Sequence, residues 1–276
     1  MKSYRTLALK ELLSQKVTSI LILIAVVLST MMTTIVGQSI GVLSAMREQQ
    51  AIAIGGNRYA TFLQMNADQL HALEQDERLS YVGKSIYMGS LELSPSLTLG
   101  LMEYLDDNAA IYPSSTSVEG GRLPEAPMEI ALSEDILKYL GFEGSIGDKI
   151  TLSLQKNLRH NIADCYSYTA EFVLTGILKN NYLGYTSGTV TGVVGEGTAE
   201  QLLPESYIYY NVDIRTADKK NFQAVVDDIN KELNIHELDT SYNIVYLSSS
   251  VSRYASRSRG SGTSPATTTA MFSSKL

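Results

Sequence analysis

The sequence lacks most of the residues that advertise chemistry. It has one cysteine, Cys165, among 276 residues, so no disulfide framework can hold it. A domain of this length can bury a sufficient core without one, and Cys165 is expected to be a core residue rather than a reactive thiol. The three histidines, His71, His160 and His236, have no close-spaced ligand partner, so no metal site is expected. No Gly-x4-Gly-Lys-Ser/Thr loop is present to cradle a nucleotide, and no Gly-x-Ser-x-Gly elbow to present a nucleophile. The net charge of −7 argues against binding a phosphate backbone, so nucleic acid is not an expected partner. Tryptophan is missing, while 17 tyrosines stand against five phenylalanines. Several fall in "SYIYYNV" and "NNYLGY", where half-buried strand packing accounts for them.

One further absence is local. From Val17 to Met46 there is no charged residue, a run of 30 positions. As a helix this would be about 45 Å long, more than the roughly 30 Å hydrocarbon core of a bilayer. It is read as one transmembrane helix whose surplus length forms a stalk. Its Ser, Thr and Met content after Leu28 suits packing against other membrane helices. Lys2, Arg5, Lys10 and Lys16 precede it against a single Glu11, which keeps the N-terminus cytoplasmic and places the chain after about residue 46 outside. A cleaved leader fits less well, because "AIA" at 51–53 lies far beyond the apolar centre. Residues 1–16, with Tyr4, Leu7, Leu12 and Leu13 among basic residues, approximate an amphipathic helix on the inner membrane face.

After Met46 the pattern changes to short strands and capped helices. "RYATFLQM" reads as a strand, and Asn66 caps the helix "ADQLHALEQDE". "SYVGKSIYMGSLEL" follows as extended chain with a glycine break. Near the end the order repeats: "SYIYYNVDIR" alternates, "ADKKNFQAVVDDINKEL" has Phe222, Val225, Val226 and Ile229 at helical spacing, and "YNIVYL" reads as a strand. Two such strand–helix–strand units, split by a β-rich run ("KITLSLQ", "YTAEFVLTGIL", "TVTGVV"), predict an α+β domain on the single N-terminal helix. Asp106 and Asp107 before Asn108 predict an exposed turn.

The stretch "GGRLPEAPMEIALSEDILKYLGFEGSIGDKITLSL" at 120–154 parses as turn, strand, helix, turn, strand. Gly120 and Gly121 allow a sharp turn, and Pro124 and Pro127 keep the chain extended. "MEIAL" is a strand, and Ser133 is expected to cap the helix "EDILKYL", whose first turn carries Glu134 and Asp135. Gly141 ends that helix, and Gly147–Asp148 turns the chain into the next strand.

Those residues also carry a family resemblance. The pattern of Gly121, Arg122, Pro124, Glu129, Ile130, Leu132, Ser133, Leu140, Gly141, Gly147 and Asp148 resembles the signature of the extracytoplasmic core domain of MacB/FtsX-type ABC transporter permeases. A basic amphipathic segment and one membrane helix before the outer domain are similar too. The resemblance covers about residues 1–247. It implies a non-catalytic membrane subunit, without a cofactor of its own, that works with a separate cytoplasmic ATPase and pairs with a second permease copy or a homologue. Arg5, Leu7 and Lys10 would lie nearest the coupling to that ATPase. The implied division is 1–16 cytoplasmic helix, 17–46 membrane helix and stalk, 47–247 core domain, and 248–276 tail.

The departure is at the end. Such permeases have further membrane helices after the outer domain, whereas residues 248–276 are rich in Ser, Thr, Arg and Gly and too polar to span a bilayer. The change after Leu247 suggests a truncated or frame-shifted coding sequence. The competing expectation is a single-pass sensor or binding protein for a peptide, lipid or envelope protein.

Overall fold

The computed structural model describes residues 16–158, 161–218 and 221–247. The segment carrying Arg5, Leu7 and Lys10, the residue His160 and the tail after Leu247 lie outside the described residues. The chain divides into two units, one ending at Gln49 and one spanning Gln50–Val251.

The first unit is helix α1, Lys16–Gly55, whose last residues belong to the second unit. Among the described residues it is the one helix long and apolar enough to cross a membrane, at about 60 Å for its full length. Its large apolar side chains described between Val17 and Met46, such as Leu21, Leu23, Met32 and Val42, are exposed. Thr30, Thr33, Thr34 and Ser39 donate their hydroxyls to carbonyls one turn back in the same helix, which satisfies them without a neighbour. The helix continues past Met46 through Arg47 and Glu48.

The second unit runs β1 (Ala60–Met65), α2 (Ala67–Glu74), β2 (Leu79–Ser94), β3 (Leu97–Leu105), α3 (Pro113–Thr116), β4 (Val118–Gly121), β5 (Glu129–Ser133) and α4 (Glu134–Tyr139). It continues through β6 (Lys149–Leu158), β7 (Asn161–Leu178), α5 (Tyr182–Ser187), β8 (Thr189–Val194), α6 (Thr198–Leu202), β9 (Tyr210–Thr216), α7 (Phe222–Glu232) and β10 (Thr240–Tyr242). A 3-10 turn over Asp106–Ile111 links β3 to α3.

The two strand–helix–strand units pair across the domain, as their sequence pattern predicts. β1 lies between β10 and β9, and β9 pairs with the first half of β2, all antiparallel. α2 and α7 cover one face, burying Phe62, Met65, Leu73, Val212, Ile214, Val226 and Ile229. Asn66 caps α2 through a reciprocal box with Gln69.

The second half of β2 enters a different structure. Pairings β2–β3, β3–β8, β8–β5, β5–β7, β7–β6 and β6–β2 return to their starting strand, so these six strands close into a small barrel. Inward positions alternate along each strand: Leu97, Leu99 and Leu101 on β3, Ile150, Leu152 and Leu154 on β6, and Phe172 and Leu174 on β7 form one core with Ile136 of α4 and Ala199 of α6. The long strand β2 is thus shared by both cores.

Three expectations fail locally. Cys165 is exposed, because it shares its parity on β7 with the outward Ser167, Thr169 and Glu171 while Ala170 and Phe172 point in. "YNIVYL" is a strand only to Tyr242. Asn243 then starts a helical turn over 244–247, accepting from the Tyr246 N–H on its side chain (3.2 Å) and the Leu247 N–H on its carbonyl (3.0 Å). Ser133 sits at the N-cap of α4 in extended conformation but makes no capping bond. Its hydroxyl lies 3.4 Å from the Tyr185 hydroxyl instead.

Candidate functional site

The residues of the 120–154 motif form one wall of the barrel. Gly121 ends β4 with a φ of 74°, and the Arg122 N–H donates to the Thr175 carbonyl of β7 at 3.0 Å. The Arg122 guanidinium grips the Glu129 carboxylate with two bonds, of 2.8 and 2.5 Å. Glu129 in turn accepts the N–H groups of Glu125 (2.9 Å) and Ala126 (3.1 Å). The loop that holds Pro124 is therefore stapled at its base. The Arg122 bond, with the backbone donors behind it, holds the Glu129 carboxyl down to about 2. Ile130 and Leu132 are fully buried in the barrel. Leu140 packs partly against the same core, and Gly141 closes α4 with N–H bonds from Gly141 to Lys138 and from Phe142 to Leu137, a Schellman ending. Asp148 accepts the Ser145 N–H on its carboxylate at 2.7 Å, which shapes the turn at Gly147. Gly121, Arg122, Glu129, Gly141 and Asp148 thus shape turns and helix ends, while Ile130, Leu132 and Leu140 pack the core.

The densest polar cluster lies elsewhere, where α1 ends. Asp213 of β9 is fully buried, on the side of the strand opposite Val212 and Ile214. Its carboxylate accepts the Thr61 hydroxyl at 2.6 Å, the Tyr112 hydroxyl at 2.7 Å and the Asn108 amide at 3.0 Å. The Arg58 guanidinium stands 3.3 Å away, lies over the Tyr112 ring at 4.7 Å and donates to the Gly55 carbonyl. Arg58 also donates to the Thr61 hydroxyl at 2.7 Å, so guanidinium, hydroxyl and carboxylate form a chain. Asn108 extends it, donating to the Lys84 carbonyl at 3.0 Å and accepting the Tyr81 hydroxyl at 2.9 Å. Burial, with the Asp213 charge second, pushes the Tyr112 hydroxyl well above its usual range, so it stays a donor.

Asn243 completes the joint from the other end of the domain. Its amide donates to the carbonyls of Gly55, Gly56 and Arg58 at 3.0 to 3.1 Å, and its own N–H donates to the Tyr59 carbonyl at 3.0 Å. Tyr59 and Tyr246 stack at 6.1 Å between centroids. Gly56 passes so close to the 3-10 turn that a β-carbon would fall 2.1 Å from the Ile111 carbonyl, and the Ser114 hydroxyl holds the Ile54 carbonyl at 2.9 Å. The last turn of α1, the start of β1 and the segment after β10 are thus bound to one buried polar node.

Sequence reasoning did not single out Arg58, Thr61, Tyr112, Asp213 or Asn243. The one local signal is an acid between two apolar residues in "NVDIR". Alternation reads it as the solvent side, because the 3-10 turn that covers it comes from a distant segment.

Among the described residues no group of His, Cys, Asp and Glu is arranged to hold a metal ion. The joint orients and connects; it presents no nucleophile or open acid–base pair.

No protein-family model matches the chain, and no curated protein sequence matches it. Among solved structures it is similar to the extracellular domain of the noncanonic ABC-type transporter YknZ from Gram-positive bacteria. The TM-score is 0.43 and the identity 11%, over 67% of this chain and 99% of that one. It is also similar to the periplasmic region of MacB from Actinobacillus actinomycetemcomitans, with a TM-score of 0.41 and 11% identity over 77% of this chain and 96% of that one. These are the kind of domain that the 120–154 motif resembles.

Proposed function

We propose that this chain is a permease subunit of an ABC transporter of the MacB/FtsX type, or the N-terminal part of one. In this reading α1 crosses the membrane with its N-terminus in the cytoplasm, and the α+β unit stands outside. A partner ATPase, not this chain, binds and hydrolyses ATP. Movement passes between the membrane helix and the outer domain. Export or signalling follows from that movement without catalysis by this polypeptide.

The observation that carries the proposal is the 120–154 motif, which folds as strand, strand, helix and strand over β4, β5, α4 and β6. A domain merely tethered to the membrane needs only a flexible linker. Within the second unit, the residues that follow Gln50 are bound at their carbonyls by Asn243, Arg58 and Ser114. The motif resemblance supports the same reading.

The test is a pull-down of the full chain from membranes of the cell that encodes it. An ABC ATPase that co-purifies, and is lost when residues 2–16 are deleted, is the expected result. If the chain stays in the membrane and no ATPase is recovered, the permease reading fails, and a single-pass sensor or binding protein takes its place.

A further inference from the structure

The barrel has one weak seam. β2 and β6 share a single aligned pair, Ser90 with Gln155, although β2 pairs with β3 and β6 with β7 along most of their lengths. The other short contact in the ring, β5 with β8, is reinforced by the Gly195 N–H donating to the Glu129 carbonyl at 3.1 Å. Next to that pair β2 carries a bulge, which lies in its ladder with β3. The register of β2 shifts between Tyr87 and Gly89, and a β-carbon on Gly89 would fall 2.8 Å from the Gln155 carbonyl. Two side chains then reach across to β2. Lys156 Nζ donates to the Tyr87 carbonyl, and the Tyr168 hydroxyl donates to the Met88 carbonyl at 2.8 Å.

β7 pairs with β5 only from Val173 onward. The stretches 149–158 and 161–172 therefore form a pair of strands, a ribbon hinged where β7 joins β5 and resting on the barrel through Leu152, Leu154, Ala170 and Phe172. Lys156 continues their inward row on β6 and is 1% exposed. An ammonium carries three donors, and this one is bonded to the Tyr87 carbonyl alone among the described residues. A charge so placed favours any state that returns it to water.

We propose that the paired strands 149–158 and 161–172 open as a unit along the β2–β6 seam while the remaining ladders stay closed, with Lys156 favouring the open state and Tyr168 opposing it. The titratable groups on strands around Lys156 are Tyr87 on β2, Glu103 on β3, and Tyr166 and Tyr168 on β7. Lys149 and Glu171 pair with each other on the ribbon's outer face. Burial lowers the Lys156 ammonium to about 8, and Glu103 counters part of this. Opening therefore weakens as pH rises through about 8 and the closed state sheds the proton. None of this depends on the permease reading, since it concerns the barrel alone.

Thiol labelling tests it on the full chain in lipid nanodiscs, with the exposed Cys165 replaced by Ser. Leu154→Cys places a thiol inside the ribbon, and Leu101→Cys places one on β3 between two long ladders. The expected result is that Leu154→Cys reacts at least about tenfold faster than Leu101→Cys. Lys156→Met should then slow Leu154→Cys about tenfold, and Tyr168→Phe should speed it, with Leu101→Cys unmoved by either. If Leu154→Cys does not fold, Met88→Cys across the seam takes its place. Equal reactivity at the two sites, or shifts that occur at both together, would mean that the barrel opens only by unfolding as a whole and would overturn the proposal.

Discussion

The helix-covered sheet buries Asp213 and the barrel buries Lys156, and they treat these charges in opposite ways. Asp213 has donors on every side, from Thr61, Asn108, Tyr112 and Arg58. Lys156 has the Tyr87 carbonyl and, as counter-charge, a Glu103 carboxylate whose oxygens are already taken by the Gly197 and Ala199 N–H groups at 2.8 and 2.6 Å. A saturated charge fixes the geometry around it, because any displacement leaves several buried groups unpaired. An under-satisfied one makes the closed state costly. One region is built as a joint and the other as a seam.

Breaking the joint should have the largest effect. Asp213→Ala strands a guanidinium, a hydroxyl, an amide and a phenol, and is expected to cost about 3–5 kcal/mol, read as a lower urea midpoint of the full chain in nanodiscs. A loss below about 1 kcal/mol would dissolve the contrast. Asn243→Ala leaves three carbonyls at the end of α1 without their amide donor, and a loss of about 2–3 kcal/mol is expected.

The seam should respond with the opposite sign. Lys156→Met should stabilise the chain at pH 7 by about 2–3 kcal/mol. The folded ammonium titrates near 8 against 10.5 for an unburied lysine, so between those values the unfolded state holds the extra proton. Wild-type stability should therefore rise with pH across that window relative to the Met variant, which lacks this contribution while sharing the tyrosine titrations. A destabilised Met variant would place Lys156 with Asp213 as a structural charge.

Two smaller effects come from the barrel wall. Glu129 titrates near 2 against the ordinary 4.5, so the stability it contributes is present above pH 4.5 and is lost as the pH falls toward 2. Because Arg122 is half exposed, Glu129→Gln should cost only about 1 kcal/mol at pH 7, checked by melts at pH 7 and pH 3. Ser133→Ala should cost about 0.5 kcal/mol or less, since no capping bond is lost. A cost near that of an ordinary N-cap would show that Ser133 caps α4 in solution.

Much of the fold was legible because its signals are local. The N-cap at Asn66, the helix stop at Gly141, the turn at Asp148 and the apolar spacing of Val226 and Ile229 are each decided within a few residues. The long uncharged run needed only counting. Barrel closure was not legible, since it rests on a contact between Ser90 and Gln155. The exposure of Cys165 turned on strand parity, and the helical turn after Tyr242 turned on Asn243 being recruited to the carbonyls of Gly55 and Gly56. The joint was hidden for the same reason: its members come from five segments, and each looks ordinary in its own.

The most direct test is whether Asn243 holds the end of α1. A nitroxide placed at Ile54, in the full chain with Cys165→Ser in nanodiscs, reports its motion. An immobilised label that becomes mobile in Asn243→Ala, while a label at Leu101 stays immobile, is what a rigid joint predicts. A label at Ile54 that is mobile from the start, or unchanged by Asn243→Ala, would contradict it.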